Sequence, residues 1–181
     1  RGELESLLLM AREQHRDPLD YQGSYAGALG LPQFLPSSVR NYAVDFDGDG
    51  QIDLLGSPKD AIGSVARYMQ MHGWEAGGPV AVRASLDADT NLAPLLAKDI
   101  TPAFDSATLA SHGVRAMSSA EGAGKAAFVE LVTPGQDSEY WLGYQHFYVI
   151  TRYNRSSFYA MSVFQLGEAV KAARTAASAR R

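Results

Sequence analysis

Nine residues, Asp45-Phe46-Asp47-Gly48-Asp49-Gly50-Gln51-Ile52-Asp53, constrain this chain more than any other stretch. Carboxylates recur at the first, third and fifth places, and a glycine, Gly50, stands sixth, where the backbone must turn sharply. Alternate residues can then converge on one point, which is what a hard cation needs from oxygen ligands. Gln51 in seventh place would offer its backbone carbonyl, and Ile52 in eighth would anchor the loop to a core. The twelfth place, which in an EF-hand carries a bidentate Glu, is Gly56, so a later carboxylate must close the shell. Asp60 is the nearby candidate. Residues 41–60 hold five aspartates against one lysine, a repulsion that a cation relieves and that a metal-free turn does not explain. The expected ligands are therefore Asp45, Asp47, Asp49, Gln51 and Asp60, with Ca2+ in a structural role. Calcium sensors pair their loops, and this chain has one.

A helix follows at once. Ser57 reads as its N-cap and Pro58 as its first residue, with Asp60 in the first turn. Its apolar face is Ala61, Ile62, Val65, Tyr68 and Met69, and His72-Gly73 stops it. An earlier helix is predicted over 3–14, where Leu4, Leu7, Leu8 and Ala11 fall at helical spacing. No strong cap precedes it, which fits either a frayed end or a C-terminal piece of a longer protein. Ser37 or Ser38 could cap a short helix through Val39 to Tyr42. Further along, 80–82 and 128–132 read as strands and 91–97 and 105–110 as short helices. Residues 140–152 read as strand-like or an aromatic loop, 156–174 as a helix, and the tail from 176 as a fraying end. The organisation expected is a first core part over 1–78 with the acidic loop at 45–60, a small β-rich lobe over 79–134, and a second core part over 135–181.

Composition limits the chemistry. The 181 residues carry a net charge of −4 and no cysteine, which excludes disulfides, thiolate metal sites and a cysteine nucleophile. No apolar run approaches the ~20 residues of a membrane span. Eight aromatics lie within residues 140–159, and residues 151–181 hold six basic side chains against one acidic. Tyrosines beside Arg152-Tyr153-Asn154-Arg155 suit a polar, ring-shaped ligand with negative groups, such as an acidic glycan. Nucleic acid fits less well, since no basic stripe occurs elsewhere. The histidines have no zinc spacing and no nucleophile motif near them. Glu3, Glu5 and Glu13 lie on the first helix, with charged neighbours that suggest a wet face for Glu3 and Glu13 rather than the apolar pocket a general acid needs.

Several motifs carry a resemblance that covers nearly the whole chain. Gly2-Glu3-Leu4-Glu5, Gly23-Ser24-Tyr25-Ala26-Gly27-Ala28-Leu29-Gly30, Gln33-Phe34-Leu35-Pro36-Ser37-Ser38, Asp60-Ala61-Ile62-Gly63-Ser64-Val65-Ala66, His72-Gly73-Trp74 and Ile150-Thr151-Arg152-Tyr153-Asn154 resemble, in order, the lytic murein transglycosylase B family. The resemblance implies an α+β fold, a mainly helical lysozyme-like core with one EF-hand-type calcium loop and a small inserted β-rich lobe. It implies a periplasmic enzyme, free or anchored to the outer membrane through a segment outside this chain. Such enzymes cleave the β-1,4 bond between N-acetylmuramic acid and N-acetylglucosamine without water, leaving a 1,6-anhydromuramyl end. A single glutamic acid acts as acid and then base, a departure from the two-carboxylate scheme. By the same resemblance Ser24, Gln33, Tyr68, Tyr153, Asn154 and Tyr159 match sugar-binding positions. Asp45, Asp47, Asp49, Gln51 and Asp60 match the calcium ligands, although Asp60 lies one residue further along than the pattern leads one to expect.

The catalytic glutamate of that family sits in a segment ahead of the first helix, so the acid is expected upstream of Arg1 and no catalytic residue is assigned here. That favours the reading of the capless first helix as a C-terminal piece, inactive alone. Peptidoglycan strands are the expected partner of a monomer, with other cell-wall enzymes as further candidates and no nucleic acid. The alternative is a non-catalytic, calcium-stabilised glycan-binding module.

Overall fold

The computed structural model describes residues 2–120 and 124–179, which fall into two compact units, residues 1–71 and 72–181. The first unit holds helices α1 (Gly2–Glu13), α2 (Pro36–Tyr42) and α3 (Pro58–Met71), with a 3-10 turn at Pro18–Asp20 after α1. Its core gathers Met10, Ala11, Leu29, Phe34, Val39, Leu54, Ala61 and Tyr68. The stripe expected on α1 is rotated: Leu4 and Leu8 are exposed, and Met10 and Ala11 are the buried residues. The cause is Glu3, whose carboxylate accepts hydrogen bonds from both the backbone N–H (3.0 Å) and the hydroxyl (2.7 Å) of Ser37. That contact turns the Glu3 side of α1 toward α2. It also corrects two expectations. Glu3 is no wet-face residue, and neither Ser37 nor Ser38 is the cap of α2. Leu35 occupies the cap position with no side-chain bond, Pro36 opens the helix, and Glu3 supplies the acceptor from outside.

Helix α3 begins as the sequence predicts, with Ser57 Oγ accepting from Asp60 N at 3.2 Å. Its interior face differs, because Ile62 is exposed while Gly63 and Ser64 are buried. Among these small residues Ser64 Oγ accepts from Val44 N at 3.0 Å, and Tyr68 packs edge-on against Tyr42 at 4.9 Å. Ile52 is also exposed, so the loop is anchored by something other than the eighth-place side chain.

The second unit is built on a four-stranded antiparallel sheet of β1 (Ala81–Leu86), β2 (Val114–Ala116), β3 (Ala127–Leu131) and β4 (Glu139–Gly143), in the order β2-β1-β4-β3. The sheet therefore reaches past residue 134, and residues 135–181 share its compact unit. Alternation along β3 and β4 serves two cores. Ala127, Val129, Leu131 and Trp141 face α6 (Gln145–Tyr153) and α7 (Ser157–Ser178), where Phe147, Ile150, Ala160 and Met161 meet them. Phe128 and Leu142 face the other way, toward α4 (Ala93–Leu96) and α5 (Ser106–Ser111), packing with Leu95, Leu109 and Val114. Residues 145–153 form a helix where a strand or loop was expected. β-branched and aromatic residues are poor helix formers, but burial overrides propensity: His146, Phe147, Val149, Ile150 and Thr151 are all buried. Gly143 leaves the room, since a Cβ there would come within 2.7 Å of the Phe147 ring. Beyond Met161, α7 is largely exposed, Leu166 included, and it continues through the expected tail to Ser178. Among the described residues no helix is long and apolar enough to cross a membrane.

His146 ties the start of this unit to α6. Its ring stacks on Trp74 with centroids 4.4 Å apart, Nε2 accepts from Glu75 N at 3.0 Å, and Nδ1 donates to Gly78 O at 3.0 Å. A Cβ at Gly78 would collide with the ring. Replacing buried His146 by Ala leaves two part-buried backbone groups, Glu75 N–H and Gly78 C=O, without their partner and opens a hole, so it should cost about 2–4 kcal/mol. Thermal unfolding monitored through Trp74 and Trp141 fluorescence measures the loss, and an unchanged melting temperature would contradict it.

Candidate functional site

The acidic loop is organised by two different uses of its carboxylates. Asp45 faces inward along the loop, accepting from Gly48 N (2.7 Å), Asp49 N (3.2 Å) and Gly50 N (2.8 Å). The turn this imposes puts Gly48 and Gly50 at φ of +76° and +90°, where a side chain is strained. Asp49 accepts from Gln51 N at 2.8 Å. Ligand oxygens of Asp45, Asp47 and Asp49 lie within 4.8 Å of one another. Two oxygens each about 2.4 Å from one calcium ion can be no further apart than that. The three residues therefore fit a single hard cation, and Lys59 Nζ, 3.7 Å from Asp47, supplies the nearest positive charge.

Asp60 does not join this cluster. It is 1% exposed, with Oδ1 accepting from Phe46 N and Oδ2 from Asp53 N, both at 2.9 Å. One carboxylate thus bridges the two ends of the loop and fastens both to α3. These backbone bonds, that from Asp53 foremost, hold its pKa below the ordinary carboxylate value. Phe46 reinforces the join, because its ring lies where a Cβ on Gly63 would be. Asp53 is spent on a turn, accepting from Leu55 N and Gly56 N at 2.9 Å, with Gly56 leaving space for its other oxygen. That accounts for glycine at the twelfth place.

The loop connects directly to the polar segment before α2. Leu31 N donates to Leu54 O at 2.8 Å, and Gly30, at φ +66°, has no room for a Cβ against Leu54. Antiparallel bridges pair Leu29 with both Gly23 and Phe34. Between them Ser24 to Gly27 forms a turn, with Gly27 N donating to Ser24 O at 2.8 Å and Ala28 N to Ser24 Oγ at 3.2 Å. Tyr25 stands fully exposed at its tip. Gln33 is exposed in the left-handed region at φ +52°, its Nε2 donating to Gly30 O at 2.9 Å. An L-residue held there costs energy that the surrounding bonds must supply. Ser24 and Gln33 are thus brought to one rigid segment. Tyr68 is 8% exposed, its ring against Phe34 and Tyr42, so it supports that segment from beneath.

In the second unit Tyr153, Asn154 and Tyr159 come together at the corner between α6 and α7. Tyr153 ends α6 half-buried, Asn154 is its exposed C-cap, and Tyr159 N is capped by Ser156 Oγ at 3.2 Å. Arg155, one residue on, pairs with Asp99 at 2.8 Å. Of the first-helix glutamates, Glu3 is spent on Ser37, and Glu13 makes a two-pronged bond to Arg40 that lowers its pKa. Both carboxylates are already engaged by these partners. The sequence reasoning missed the bridging role of Asp60 and the capping role of Glu3. A helix opening with Pro36 and no side-chain cap was the available signal for Glu3.

Because the folded pKa of Asp60 is depressed, its ionised form stabilises the first unit above about pH 3.9, the unfolded carboxylate value. That contribution is lost as pH falls through the lower folded value. Asp60→Asn keeps the shape but removes the charge and one acceptor. In metal-free buffer it should lower the melting temperature by about 5 °C or more at pH 7 and flatten the fall in stability between about pH 5 and pH 2. Melting curves of both proteins across that range provide the check.

The model of the transglycosylase SLT domain matches residues 1–168. Membrane-bound lytic murein transglycosylase B of Escherichia coli strain K12 is 47% identical over 173 residues, which is 96% of this chain and 46% of that protein. The crystal structure of the soluble lytic transglycosylase SltB1 from Pseudomonas aeruginosa superposes with a TM-score of 0.85 at 46% identity, over 96% of this chain and 57% of that one. The Escherichia coli lytic transglycosylase Slt35, solved in complex with calcium, superposes at 0.78 with 45% identity, over 96% of this chain and 54% of that one. The chain spans about half the length of these relatives. With a family model matched over most of its residues and a relative at nearly one-half identity, the chain belongs to the transglycosylase SLT domain family.

Proposed function

We propose that this chain is the calcium-binding and glycan-holding part of a peptidoglycan lytic transglycosylase. Its membership of the family, with 47% identity to a lytic murein transglycosylase, is the observation that carries the reading. In the first unit Gln33 and Ser24 offer an amide and a hydroxyl to a sugar; in the second unit, considered by itself, Tyr153, Asn154 and Tyr159 offer hydroxyls and an amide of their own. Asp45, Asp47 and Asp49, with the Gln51 carbonyl, hold calcium, and Asp60 keeps the loop closed for them. When bound, the ion neutralises the loop carboxylates. Calcium in the Slt35 relative supports this. The enzyme works in the periplasm on the MurNAc-β-1,4-GlcNAc bond and leaves a 1,6-anhydromuramyl end.

The acid–base glutamate comes from outside these residues. The bonds already held by Glu3 and Glu13 support that assignment. Such a carboxyl needs its proton raised into the neutral range by an apolar pocket. What this chain contributes is orientation: polar groups on a segment whose backbone is already hydrogen-bonded through Leu29, Leu31 and Gly30.

Two outcomes follow. Millimolar calcium should raise the melting temperature of the metal-free chain by about 5–10 °C, magnesium should not substitute, and Asp49→Asn should abolish the shift. Equal shifts with both ions, or an unaltered response in the variant, would contradict the calcium site. In sedimentation with purified glycan strands, the 181-residue chain should bind without releasing anhydromuramyl products, with binding weakened about tenfold by Gln33→Ala or Asn154→Ala. The full-length relative that is 47% identical should cleave the same strands. Anhydromuramyl products from the chain alone would place the acid within it, and failure to bind the strands at all would contradict the glycan-holding reading.

A further inference from the structure

The corner that carries Tyr153 and Asn154 is held from a distant part of the second unit. Residues 154–156 leave α6 and enter α7 through extended backbone, with Asn154 at φ −143° and Ser156 at φ −148°. The backbone bonds within the corner are short-range: Asn154 N donates to Ile150 O at 3.4 Å, and Ser156 N to Asn154 O at 2.7 Å. Ile150 and Thr151 anchor α6 in the core, and Ala160 and Met161 anchor α7. Asn154 and Arg155 between them are exposed. The Asn154 carboxamide makes no hydrogen bond among the described residues. With no side chain to steer it, its reach and direction follow the backbone that carries it.

Arg155 supplies that backbone with a fixed point. Its Nη2 donates to Asp99 Oδ2 at 2.8 Å, across 56 positions of sequence. Asp99 stands just beyond α4, whose Leu95 is fully buried, and Asp99 N donates to Leu96 O at 3.0 Å. Its φ is +54°, the left-handed geometry that a helix end usually gives to glycine. Aspartate is one of the few other residues that enter this region, and here its carboxylate adds the bond to Arg155. Leu95 packs with Phe128 and Leu142 on one face of the sheet, while α6 and α7 cover the other. The pair therefore joins the coverings of the two faces. Both side chains are exposed, and such a pair adds little to stability. Its consequence is geometric, because it limits where Arg155 can sit, and with it Asn154 one residue before.

We infer that Asp99 is a positioning residue for sugar binding: by pairing with Arg155 it holds the corner between α6 and α7 so that the Asn154 amide meets the ligand in one orientation. The inference rests on the glycan reading of Tyr153, Asn154 and Tyr159. The test titrates an N-acetylglucosamine oligomer into the isotope-labelled 181-residue chain, following affinity by NMR. Asp99→Asn suits it, since asparagine tolerates left-handed backbone while the charge is removed. Asp99→Asn and Arg155→Gln should each weaken binding about threefold, and the double variant should bind no more weakly than either. Melting temperatures should stay within about 2 °C of the unaltered chain, as an exposed pair requires. The oligomer is uncharged, so salt acts on the pair alone. Sodium chloride at about 1 M should bring the unaltered chain toward the variants and leave Asp99→Asn where it was. Unchanged affinity in Asp99→Asn, additive losses in the double variant, or a melting temperature lowered by about 5 °C or more would overturn the inference. Tighter binding by Asp99→Asn would overturn it too, by making Arg155 a direct contact freed from its partner. Binding weakened by Asn154→Ala and untouched by Asp99→Asn leaves the glycan reading standing without the inference. If the unaltered chain binds no oligomer, the glycan reading fails, and hydrogen exchange of the Asn154 and Ser156 amides decides the clamp alone. Faster exchange in Asp99→Asn sustains it, and equal exchange overturns it.

Discussion

The Asp60 carboxylate holds the first unit in a state the rest of that unit requires. A loop with four aspartates in nine residues has no internal reason to stay closed, because each charge repels the next. Asp60 closes it from the side by taking Phe46 N–H on one oxygen and Asp53 N–H on the other. The position is fixed by helix α3, whose start is set by Ser57 and Pro58. From Asp53 the constraint passes through the turn at 53–56 to Leu54 O, which receives Leu31 N–H. It then reaches Gly30 and the left-handed Gln33. An electrostatic problem at the loop and a strained backbone at the polar segment are thereby settled by one connected set of backbone hydrogen bonds.

This wiring separates two roles that the sequence pattern merges. Spacing alone puts Asp60 with Asp45, Asp47 and Asp49 on the metal, and it does not distinguish a ligand from a residue that shapes the backbone around a ligand. The folded geometry separates the two by position. Asp45 already accepts three N–H groups and yet lies in the cluster with Asp47 and Asp49, while Asp60 accepts two and stands outside it. A buried carboxylate satisfied by neutral N–H groups is stabilised as an anion without any cation. The loop can therefore keep its form before an ion arrives, and binding then meets a smaller ordering cost.

What could be read from the sequence follows the same division between local and non-local causes. The cap of α3, the glycine turns of the acidic loop, and strand signals at 80–82 and 128–132 depend on neighbours within a few residues and are visible, although the first strand runs on to Leu86. The helix at 145–153 was hidden because its residues favour extended chain, and only a glycine-made space beside Phe147 with burial on nearly every side reverses that preference. The bond from Glu3 to Ser37 joins residues 34 positions apart, so no window along the chain contains it. The exposure of Ile62 and Ile52 has the same origin: small residues, Gly63 and Ser64, sit where the loop must approach α3, so the larger side chains are turned outward. The sugar-binding residues were legible only as a resemblance, since each is a common residue whose meaning comes from where it is held.

The sheet of the second unit shows how packing can leave room for water. Its two faces receive different treatment although the strands alternate evenly. On the α6 and α7 face, Trp141 and Phe147 are large and interlock with Met161 and Ile150, and the Trp141 indole is further held by Arg83 at 4.7 Å and by Glu139. On the other face the covering helices α4 and α5 are only four and six residues long. Short helices cover less of a sheet than its strands expose. Alanines at 84 and 126 meet Leu95 and Leu109 there, beside Phe128 stacked on Tyr140. Empty space in a core costs stability in proportion to its volume, whereas an open, polar-rimmed cavity is solvated and costs much less. The cavity of about 660 Å³ left on that face, between α5, β2 and β4, is rimmed by Asp105 and Lys125 and so takes water, and the face can remain incompletely filled without unravelling the sheet.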